Sequence, residues 1–433
     1  MVGLGRPGRS FGLGGSMNEQ TALRVDVAET TAPVLQKEYR SGVHAKRQDD
    51  DGGWGLVLIG LDAPPRIVSL MDGAVIGSAA RDGRIEGQGI APEHAKISVR
   101  SDGCYIEDMD THDGTWVNGV RARRIGVMHG DVVRLGHQLG VFVERHLALY
   151  DGAPSRLGPL VFGSKQRKDW IDPVMKLVQS GSSVCIEGAP GVGKRTLARL
   201  AAAVREGLGE TLVIDGSAET KPAIPPGARP MTWLVLDADR LPRPQQLEIA
   251  HSVGRSNGVS IIATTGQPLD RAAGDGRVAP WFASLFSGKR ITIPTLEMRR
   301  EDVPLIVRDI AERNAIGLDR FTPQLLEALV RAGWPGGVPQ LESAIVTAAQ
   351  AAPDGPLSVT PIAGSLARGP RVKPNLPPAT DPSLARARLE DALARANGSV
   401  ASAARALGMS RQAIYREADR LGLDIARRRV PRG

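Results

Sequence analysis

Cysteines, histidines at metal-ligand spacing and long apolar runs are scarce in this sequence, and each shortage narrows the classes of protein it can encode. The two cysteines, Cys104 and Cys185, lie far apart, each within a strand-like run. We expect buried thiols in a reducing compartment and no disulfide. The seven histidines show no ligand spacing, so we expect no metal site built from them. No acid pair accompanies a nucleophile, which argues against a catalytic centre of that kind.

Membrane-spanning features are also missing. No apolar run approaches the roughly 20 residues that a membrane span needs, and the N-terminal arginines precede no apolar segment typical of a secretory signal. We therefore expect a cytoplasmic, nucleoid-associated protein with no membrane partner. The chain does carry positive charge, because 55 lysines and arginines stand against 47 aspartates and glutamates, for a net charge of +8. That balance favours a polyanionic partner.

Changes in pattern along the 433 residues predict several domains. Short alternating apolar runs, with turn signals about every 8 to 12 residues, are typical of an all-β sandwich. Strands then alternate with Ala- and Leu-periodic helices, which indicates a parallel α/β domain. The predicted boundaries are 1–52 for a disordered tail beginning at Met1 or Met17, 53–147 for the sandwich, 160–351 for the α/β domain, 352–382 for a Pro/Gly-rich linker, 383–426 for a helical domain and 427–433 for a basic tail.

The helical domain contains three helical patterns. The first places Leu389 and Leu393 on one face, the second stops at Gly408, and the third buries Ile414 and Ala418. The start of the third helix carries side chains suited to phosphate and base contacts. Ser410 suits the N-cap position, and the residues of the outer face are Arg411, Gln412, Tyr415 and Arg416.

The segment "AARALGMSRQAIYREADRLGL" resembles the Fis-type helix-turn-helix. This resemblance implies double-stranded DNA as a partner, with the third helix entering the major groove, and a homodimer or higher oligomer. A purely structural three-helix cap is the alternative. The basic tail 427–433 either contacts phosphate or forms a solvated terminus.

A phosphate-binding loop is predicted from "IEGAPGVGKRT", which follows a strand and precedes a helix. Its glycines let backbone N–H groups surround phosphate oxygens, and its lysine would reach the terminal phosphates. An arginine stands where serine or threonine is usual, and a threonine follows one place late. Asp237, which ends the strand "MTWLVLDA", could support magnesium. The candidate ATP-binding residues are Gly188, Gly191, Gly193, Lys194, Arg195, Thr196 and Asp237.

The order of these pieces resembles the AAA+ domain of sigma-54-dependent activators, with supporting matches at "IIATT", "ITIPTLEMRREDVPLI" and "WPGGVPQLE". The resemblance implies an AAA+-like P-loop domain with a helical lid that takes ATP or ADP with magnesium. It also leaves open a contact with RNA polymerase.

The departures from that family fall on functional positions. Ala238 replaces the glutamate that polarises water, and Ala279 and Leu285 occupy the arginine-finger positions. Gly337 and Pro339 replace the asparagine and the sensor arginine, and no G-A-F-T-G-A loop separates the P-loop from Asp237. Asp239 lies two residues beyond Asp237, and we expect the strand to direct it elsewhere. These losses predict little hydrolysis and no catalytic residue. Retained nucleotide binding and a P-loop kept only for folding both stay open.

The sandwich resembles a forkhead-associated (FHA) domain, on the marks Ile76-Gly77, His94, Gly114-Thr115, Asn118-Gly119 and Gly130-Asp131. Such domains bind phosphothreonine through loop side chains, because a dianion needs charge-assisted donors. In this chain Ser78 and Ala91 replace an arginine and a serine, and a loop asparagine becomes an aspartate. We expect a protein contact that does not depend on phosphate, with a structural role for His94. The candidate ligand face comprises Ser78, Arg81, Asp113 and Asn118.

Together these features predict a DNA-binding transcription regulator of sigma-54-activator-like architecture, with a hydrolysis-deficient AAA+ domain and an FHA-like module for a protein partner. Two alternatives remain. One is an ATP-hydrolysing sigma-54-dependent activator, which the order of domains favours. The other is a phosphothreonine-reading scaffold, against which Ser78 and Ala91 argue.

Overall fold

The computed structural model describes residues 53–100, 103–205, 210–218, 231–255 and 258–366, with isolated positions between 386 and 423. The predicted tails 1–52 and 427–433 lie outside the described residues. None of the described helices is long and apolar enough to cross a bilayer.

Residues 54–144 form the predicted antiparallel sandwich. One sheet has the order β2-β1-β11-β10-β7-β8 and the other β4-β3-β5-β6-β9, in which only the short β3–β4 pair is parallel. The apolar runs of the sequence coincide with its longer strands. The strands are β1 Trp54–Ile59, β2 Arg66–Leu70, β3 Val75–Gly77, β4 Gly83–Arg84, β5 Ala95–Arg100, β6 Gly103–Asp108, β7 Thr115–Val117, β8 Val120–Arg121, β9 Arg124–Val127, β10 Val132–Leu135 and β11 Gln138–Glu144.

The predicted α/β domain has a five-stranded parallel sheet of order β15-β16-β17-β14-β18, preceded by the hairpin β12–β13. Both cysteines are free and buried, as expected. The strands are β12 Ser155–Leu157, β13 Leu160–Phe162, β14 Val184–Glu187, β15 Glu210–Asp215, β16 Met231–Leu236, β17 Val259–Thr265 and β18 Arg290–Thr292.

Helices flank this sheet and build the lid that follows it. The helices are α1 Ser164–Gln166, α2 Asp172–Gln179, α3 Lys194–Arg205, α4 Arg243–Arg255, α5 Leu269–Gly274, α6 Pro280–Ser284, α7 Val303–Arg313, α8 Pro323–Arg331, α9 Gly337–Ala351 and α10 Ala363–Leu366. A π-helical turn, Arg167–Ile171, joins α1 to α2. The 3-10 turns are Leu147–Leu149, Ala238–Arg240, Leu296–Met298, Arg300–Asp302, Leu318–Arg320 and Thr360–Ile362.

The segment predicted as a linker, 352–382, begins packed against the lid. Leu357 and Ile362 are fully buried, and the backbone N–H of Leu357 donates to the Arg320 carbonyl at 2.7 Å. Two apolar side chains in a Pro/Gly-rich stretch are enough to fix its first half on the lid, because burying each is favourable by about 1.5–3 kcal/mol.

The sandwich and the lid share one hydrophobic core. β1 and β11 are buried on both faces: one set of side chains fills the sandwich, and the other, including Val57 and Val141, packs against α7, α8 and α9. Within this interface Arg134 Nε donates to Glu327 Oε2 at 2.7 Å, and both side chains are less than a tenth exposed. Arg300 of the lid donates to the Gly130 carbonyl of the sandwich at 2.6 Å. The two units therefore pack as one body.

Candidate functional site

The phosphate-binding loop leaves β14 and ends where α3 begins at Lys194. Gly191 has φ of 70° and Gly193 has φ of 104°, conformations that favour glycine. A Cβ on Gly188 would lie 2.7 Å from the Ile293 carbonyl. The glycines that the sequence singles out are thus needed for the curve of the loop, which aims backbone N–H groups inward.

Lys194 is buried at the mouth of the loop. Its Nζ donates to the Ala189 carbonyl at 2.6 Å, and its side chain is almost inaccessible to solvent. Burial lowers the pKa of Lys194, while the neighbouring carboxylates of Asp237 and Asp239 oppose that shift. The carboxylates of Asp237 and Asp239 therefore favour the charged ammonium, and a bound phosphate would favour it further.

Arg195 lies between two carboxylates. Its Nη2 donates to Asp215 Oδ1 at 2.5 Å and lies 3.6 Å from Asp237 Oδ2. It also donates to Ser217 Oγ at 2.9 Å. Burial acts to raise the pKa of Asp215, but hydrogen bonds from Ser217 and the charge of Arg195 outweigh it, and the pKa is lowered. Sequence reasoning identified Arg195 as a departure and missed this ion pair.

A cavity of about 550 Å³ opens over the loop. Its size and mixed apolar and cationic lining suit an organic anion. Of the predicted residues, Gly191, Gly193, Lys194, Arg195, Thr196 and Asp237 line it. Sequence reasoning missed Leu160 of the β12–β13 hairpin and Trp170, which supply apolar wall, because no motif marks them.

Asp239 lines the same cavity as Asp237, so the expectation that the strand directs it elsewhere is wrong. β16 ends at Leu236, Asp237 has φ of 50°, and 238–240 form a 3-10 turn, so strand geometry no longer applies at Asp239. Its carboxylate accepts a hydrogen bond from the backbone N–H of Gly266 at 3.2 Å.

The lid meets the loop directly. The N–H of Val338 donates to the Gly191 carbonyl at 3.0 Å, and a Cβ on Gly191 would lie 2.0 Å from the Gly336 carbonyl. Gly337 has φ of 67°, and a Cβ there would lie 2.4 Å from the Gly191 backbone. Glycine at position 337, where the resembled family has asparagine, is therefore required by this close approach.

A buried polar network supports the loop from behind. Arg299 Nη2 donates to the Val192 carbonyl at 3.0 Å, and its guanidinium lies over the Trp170 ring, 5.4 Å from the centroid. Its Nη1 lies 3.6 Å from Asp302 Oδ2, while Asp302 Oδ1 accepts from the N–H of Gly163 at 3.0 Å. Burial raises the pKa of Asp302 to about 7, against the opposing charge of Arg299. The loop, the hairpin and the lid are thereby linked.

The positions that carry hydrolytic side chains in the resembled family are apolar and packed here. Ala238 and Ala279 are both buried in the same hydrophobic cluster, and Leu285 packs against it. An alanine methyl can neither orient water nor neutralise phosphate. Asp239 follows Ala238 directly, but its carboxylate is bonded to the backbone N–H of Gly266.

Magnesium does not fit the residues present. In P-loop sites a Ser/Thr hydroxyl and an acidic side chain support the ion, but here Arg195 replaces the hydroxyl and its guanidinium faces Asp237 at 3.6 Å. Over the described ranges, no cluster of three or more His, Cys, Asp or Glu side chains is arranged to hold a metal.

The predicted FHA ligand loops converge, and their nearest fixed cation is Arg121, whose Nη2 donates to the Thr111 carbonyl at 3.1 Å. Ser78 Oγ donates to the Ile90 carbonyl at 3.4 Å. Asp113 lies against the β4–β5 loop, where a Cβ on Gly89 would meet Asp113 Oδ2 at 2.6 Å. Arg81 is exposed to solvent on the β3–β4 loop. Thus an aspartate and a serine stand where a phosphate would need cations.

Asn118 is occupied within the sandwich. Its Nδ2 donates to Asp131 Oδ1 at 2.7 Å, and its Oδ1 accepts from the N–H of Val132 at 3.0 Å. It has φ of 49°, which asparagine tolerates. Asn118 thus lies in the β7–β8 turn, and its amide is bonded to the segment that begins β10.

His94 braces the ligand loops. Its Nδ1 accepts from the N–H of Ala91 at 3.1 Å, and its Nε2 lies 3.2 Å from the Gly114 carbonyl and 3.3 Å from Thr111 Oγ1. The ring is fully buried, and burial lowers its pKa. These partners require the neutral Nε2–H tautomer, and the geometry agrees with the structural role expected for this histidine.

The C-terminal contact residues Ser410, Arg411, Gln412, Tyr415 and Arg416 lie outside the described residues. Five positions of the predicted apolar faces are described, and all are helical: Leu389, Leu393, Ile414 and Ala418 are buried, and Val400 is half-buried.

Comparison with protein families agrees with this organisation. The FHA domain family model matches residues 74–136, and the model for bacterial regulatory proteins of the Fis family matches residues 385–416. The chain therefore combines an FHA β-sandwich, an α/β P-loop domain with a helical lid, and a Fis-type segment, which confirms the predicted fold class.

Three curated relatives are similar to this chain. The anaerobic nitric oxide reductase transcription regulator NorR of Aeromonas hydrophila is 35% identical over 38% of this chain and 37% of its own length. The transcriptional regulatory protein ZraR of Salmonella typhi is 34% identical over 24% of this chain and 26% of its own length. The DNA-binding transcriptional regulator NtrC of Salmonella typhimurium is 30% identical over 38% and 42%. The predicted resemblance to this regulator architecture is confirmed, although the chain spans only a quarter to two fifths of the length of these relatives.

Solved structures give more distant matches. NtrX from Brucella abortus in complex with ATP is 21% identical, covers 62% of this chain and 70% of its own, and has a TM-score of 0.39. The FHA domain of the CT664 protein from Chlamydia trachomatis is 24% identical, covers 21% of this chain and 96% of its own, and has a TM-score of 0.20.

Proposed function

We propose that this chain is a DNA-binding transcription regulator whose AAA+ domain binds ATP or ADP with little hydrolysis. The match of residues 385–416 to the Fis family carries the proposal. The buried helical positions Ile414 and Ala418 support it, because they lie on the apolar face that the sequence predicts for the third helix. The outer face, on which the sequence predicts Arg411 and Gln412, would then enter the major groove. The chain would act on the nucleoid as a homodimer or higher oligomer. A contact with RNA polymerase is part of the same proposal.

Nucleotide binding is supported by the cavity of about 550 Å³ and by the glycine-dependent curve of the loop beneath it. Loss of hydrolysis is supported by the apolar burial of Ala238 and Ala279. In this proposal the nucleotide acts as a bound ligand that holds the loop and lid together through the Gly191–Val338 contact. No step of catalysis is assigned to any residue.

The FHA module is proposed as a protein contact that does not require phosphothreonine. Ser78 and Asp113 supply no positive charge at the converged loops. One sheet of the sandwich packs on the lid, so a protein bound at the ligand loops would act on the same body that closes over the nucleotide.

The proposal is tested by titrating the full chain with duplex DNA over a range of salt concentrations. We expect affinity that falls steeply with salt, because cationic side chains displace counterions from phosphates. Arg411→Ala should weaken specific binding by about 1–3 kcal/mol. Arg308→Ala serves as the control, because Arg308 lies on the lid paired with Glu312. Salt-insensitive or absent binding by the wild-type chain would refute the regulator proposal.

A further inference from the structure

Arg195 stands where the P-loop hydroxyl is expected, at the first turn of α3. A serine or threonine at this place would offer a small oxygen ligand to a divalent cation. The arginine instead extends to the carboxyl ends of two neighbouring parallel strands, where Asp215 ends β15 and Asp237 follows β16. Its guanidinium thus lies beside the carboxylate that would support the ion.

The electrostatics of this corner need a cation. Asp215 and Asp237 are two like charges at adjacent strand ends, and a nucleotide would bring several more negative charges to the same corner. Arg195 pairs with both carboxylates, at 2.5 Å and 3.6 Å. Six cationic side chains against four acidic ones line the whole cavity, so it is net positive before any ion enters.

Magnesium would compete poorly for this place. It demands near-octahedral oxygen ligands at short distances and sheds its water reluctantly. Here a guanidinium stands where the hydroxyl ligand is expected and Thr196 follows one place later, so an ion at Asp237 would lie against the guanidinium that Asp215 and Ser217 also hold. Two like charges in one pocket would repel each other.

We propose that the Arg195 guanidinium takes the place and charge of the divalent cation, so that this chain binds nucleotide without magnesium. The inference rests on the nucleotide binding proposed above. It also gives the Arg195–Asp237 pair a direct role in nucleotide binding. This role is separate from the loss of the hydrolytic side chains.

The test is a calorimetric titration of the full chain with ADP, once in excess EDTA and once with millimolar magnesium. We expect binding in both conditions, with magnesium strengthening the affinity by no more than about twofold. Strengthening of the wild-type chain by about tenfold or more would overturn the inference and leave nucleotide binding standing. Failure to bind ADP in both conditions would instead refute nucleotide binding, and the inference with it.

A pair of variants separates this role from general damage. Arg195→Thr restores the hydroxyl and frees Asp237, so we expect weaker binding in EDTA and a gain of about tenfold on adding magnesium. Arg199→Thr makes the same change on the exposed face of the same helix and should behave as wild type. Manganese titration followed by electron paramagnetic resonance gives a second measurement. ADP-bound wild-type chain should hold no tightly bound ion, and one such ion per chain would contradict the proposal.

Discussion

The P-loop and the ligand loops of the sandwich belong to families that bind phosphate by different means. The P-loop does so largely with backbone N–H groups, and its glycines keep the required curve here. An FHA domain does so with side chains from its loops, and here those positions hold Ser78 and Asp113. Substitution of side chains therefore affects the two kinds of site differently: the backbone curve of the P-loop is kept, whereas the side chains at the sandwich loops are changed.

The difference shows which part of a binding site survives sequence change. A backbone cradle depends on a few glycines and on packing, as the contact of Gly191 with the lid illustrates. A side-chain site can lose its chemistry while its scaffold persists. His94 and Asn118 still brace the sandwich loops through hydrogen bonds, although Ser78 and Asp113 themselves offer an anion no positive charge.

The largest expected effect concerns the interface between the sandwich and the lid, where a buried ion pair lies. Arg134→Ala would remove the 2.7 Å partner of the buried Glu327 carboxylate and leave Arg331 Nη1 at 3.9 Å from its other oxygen, and we expect a loss of about 3–5 kcal/mol in the free energy of unfolding. The double variant Arg134→Met with Glu327→Met removes both charges and should be near neutral. Denaturant unfolding measures both, and equal losses in the two variants would contradict a buried ion pair.

One added methyl group should distort the phosphate-binding loop. Gly191→Ala places a Cβ 2.0 Å from the Gly336 carbonyl at φ of 70°, so we expect about 1–3 kcal/mol of backbone strain and weaker ADP binding. Gly254→Ala adds the same methyl where no atom lies within 4 Å, and it should leave ADP binding unchanged. Wild-type ADP affinity in Gly191→Ala, measured by titration, would show that the loop is not the site.

The side chains that bind phosphothreonine in FHA domains can be partly restored at the sandwich loops. In the wild-type chain we expect no preference for a degenerate phosphothreonine peptide pool over its unphosphorylated counterpart. The double variant Ser78→Arg with Asp113→Asn adds a donor cation and removes a repelling charge, and should gain about 1.5–3 kcal/mol for the phosphorylated pool. Fluorescence anisotropy measures both peptides. A phosphate preference already present in the wild-type chain, and lost on Arg81→Ala, would revive the scaffold alternative.

The bracing histidine predicts a smaller, pH-dependent effect. In the folded state, burial lowers the pKa of His94 below the ordinary value of about 6.5 for histidine. Below that pH the unfolded chain takes up a proton that the folded chain does not, so folding stability falls as the pH drops, by at most about 1.4 kcal/mol per pH unit. Thermal unfolding from pH 7.5 to 5.5 should show a steeper decline in wild type than in His94→Gln. Parallel declines would assign the effect to other groups.

Local patterns in the sequence predicted most of the fold. Alternating apolar runs located the strands of the sandwich, and the glycine spacing located the P-loop and Lys194. Both signals are local, since each reflects the period or the backbone needs of one short segment. The double-sided burial of β1 and β11 was less visible, because an apolar run indicates burial without naming the partner.

The features that sequence reasoning missed are contacts between distant segments. Arg195 meets Asp215 only because sheet order places β15 beside β16, and Arg134 meets Glu327 across 193 positions. Asp239 enters the cavity because the chain turns sharply after Leu236. Such contacts depend on the topology of the fold, which the spacing of residues in the sequence does not specify.

The most direct test of the account compares nucleotide occupancy with turnover in one preparation of the full chain with magnesium and saturating duplex DNA. We expect ATP to be bound and recovered intact, with phosphate release at least about 10³-fold below that of P-loop enzymes that use an arginine finger. Turnover on the order of 1 s⁻¹ or faster, abolished by Lys194→Ala, would contradict the account and favour an ATP-hydrolysing activator.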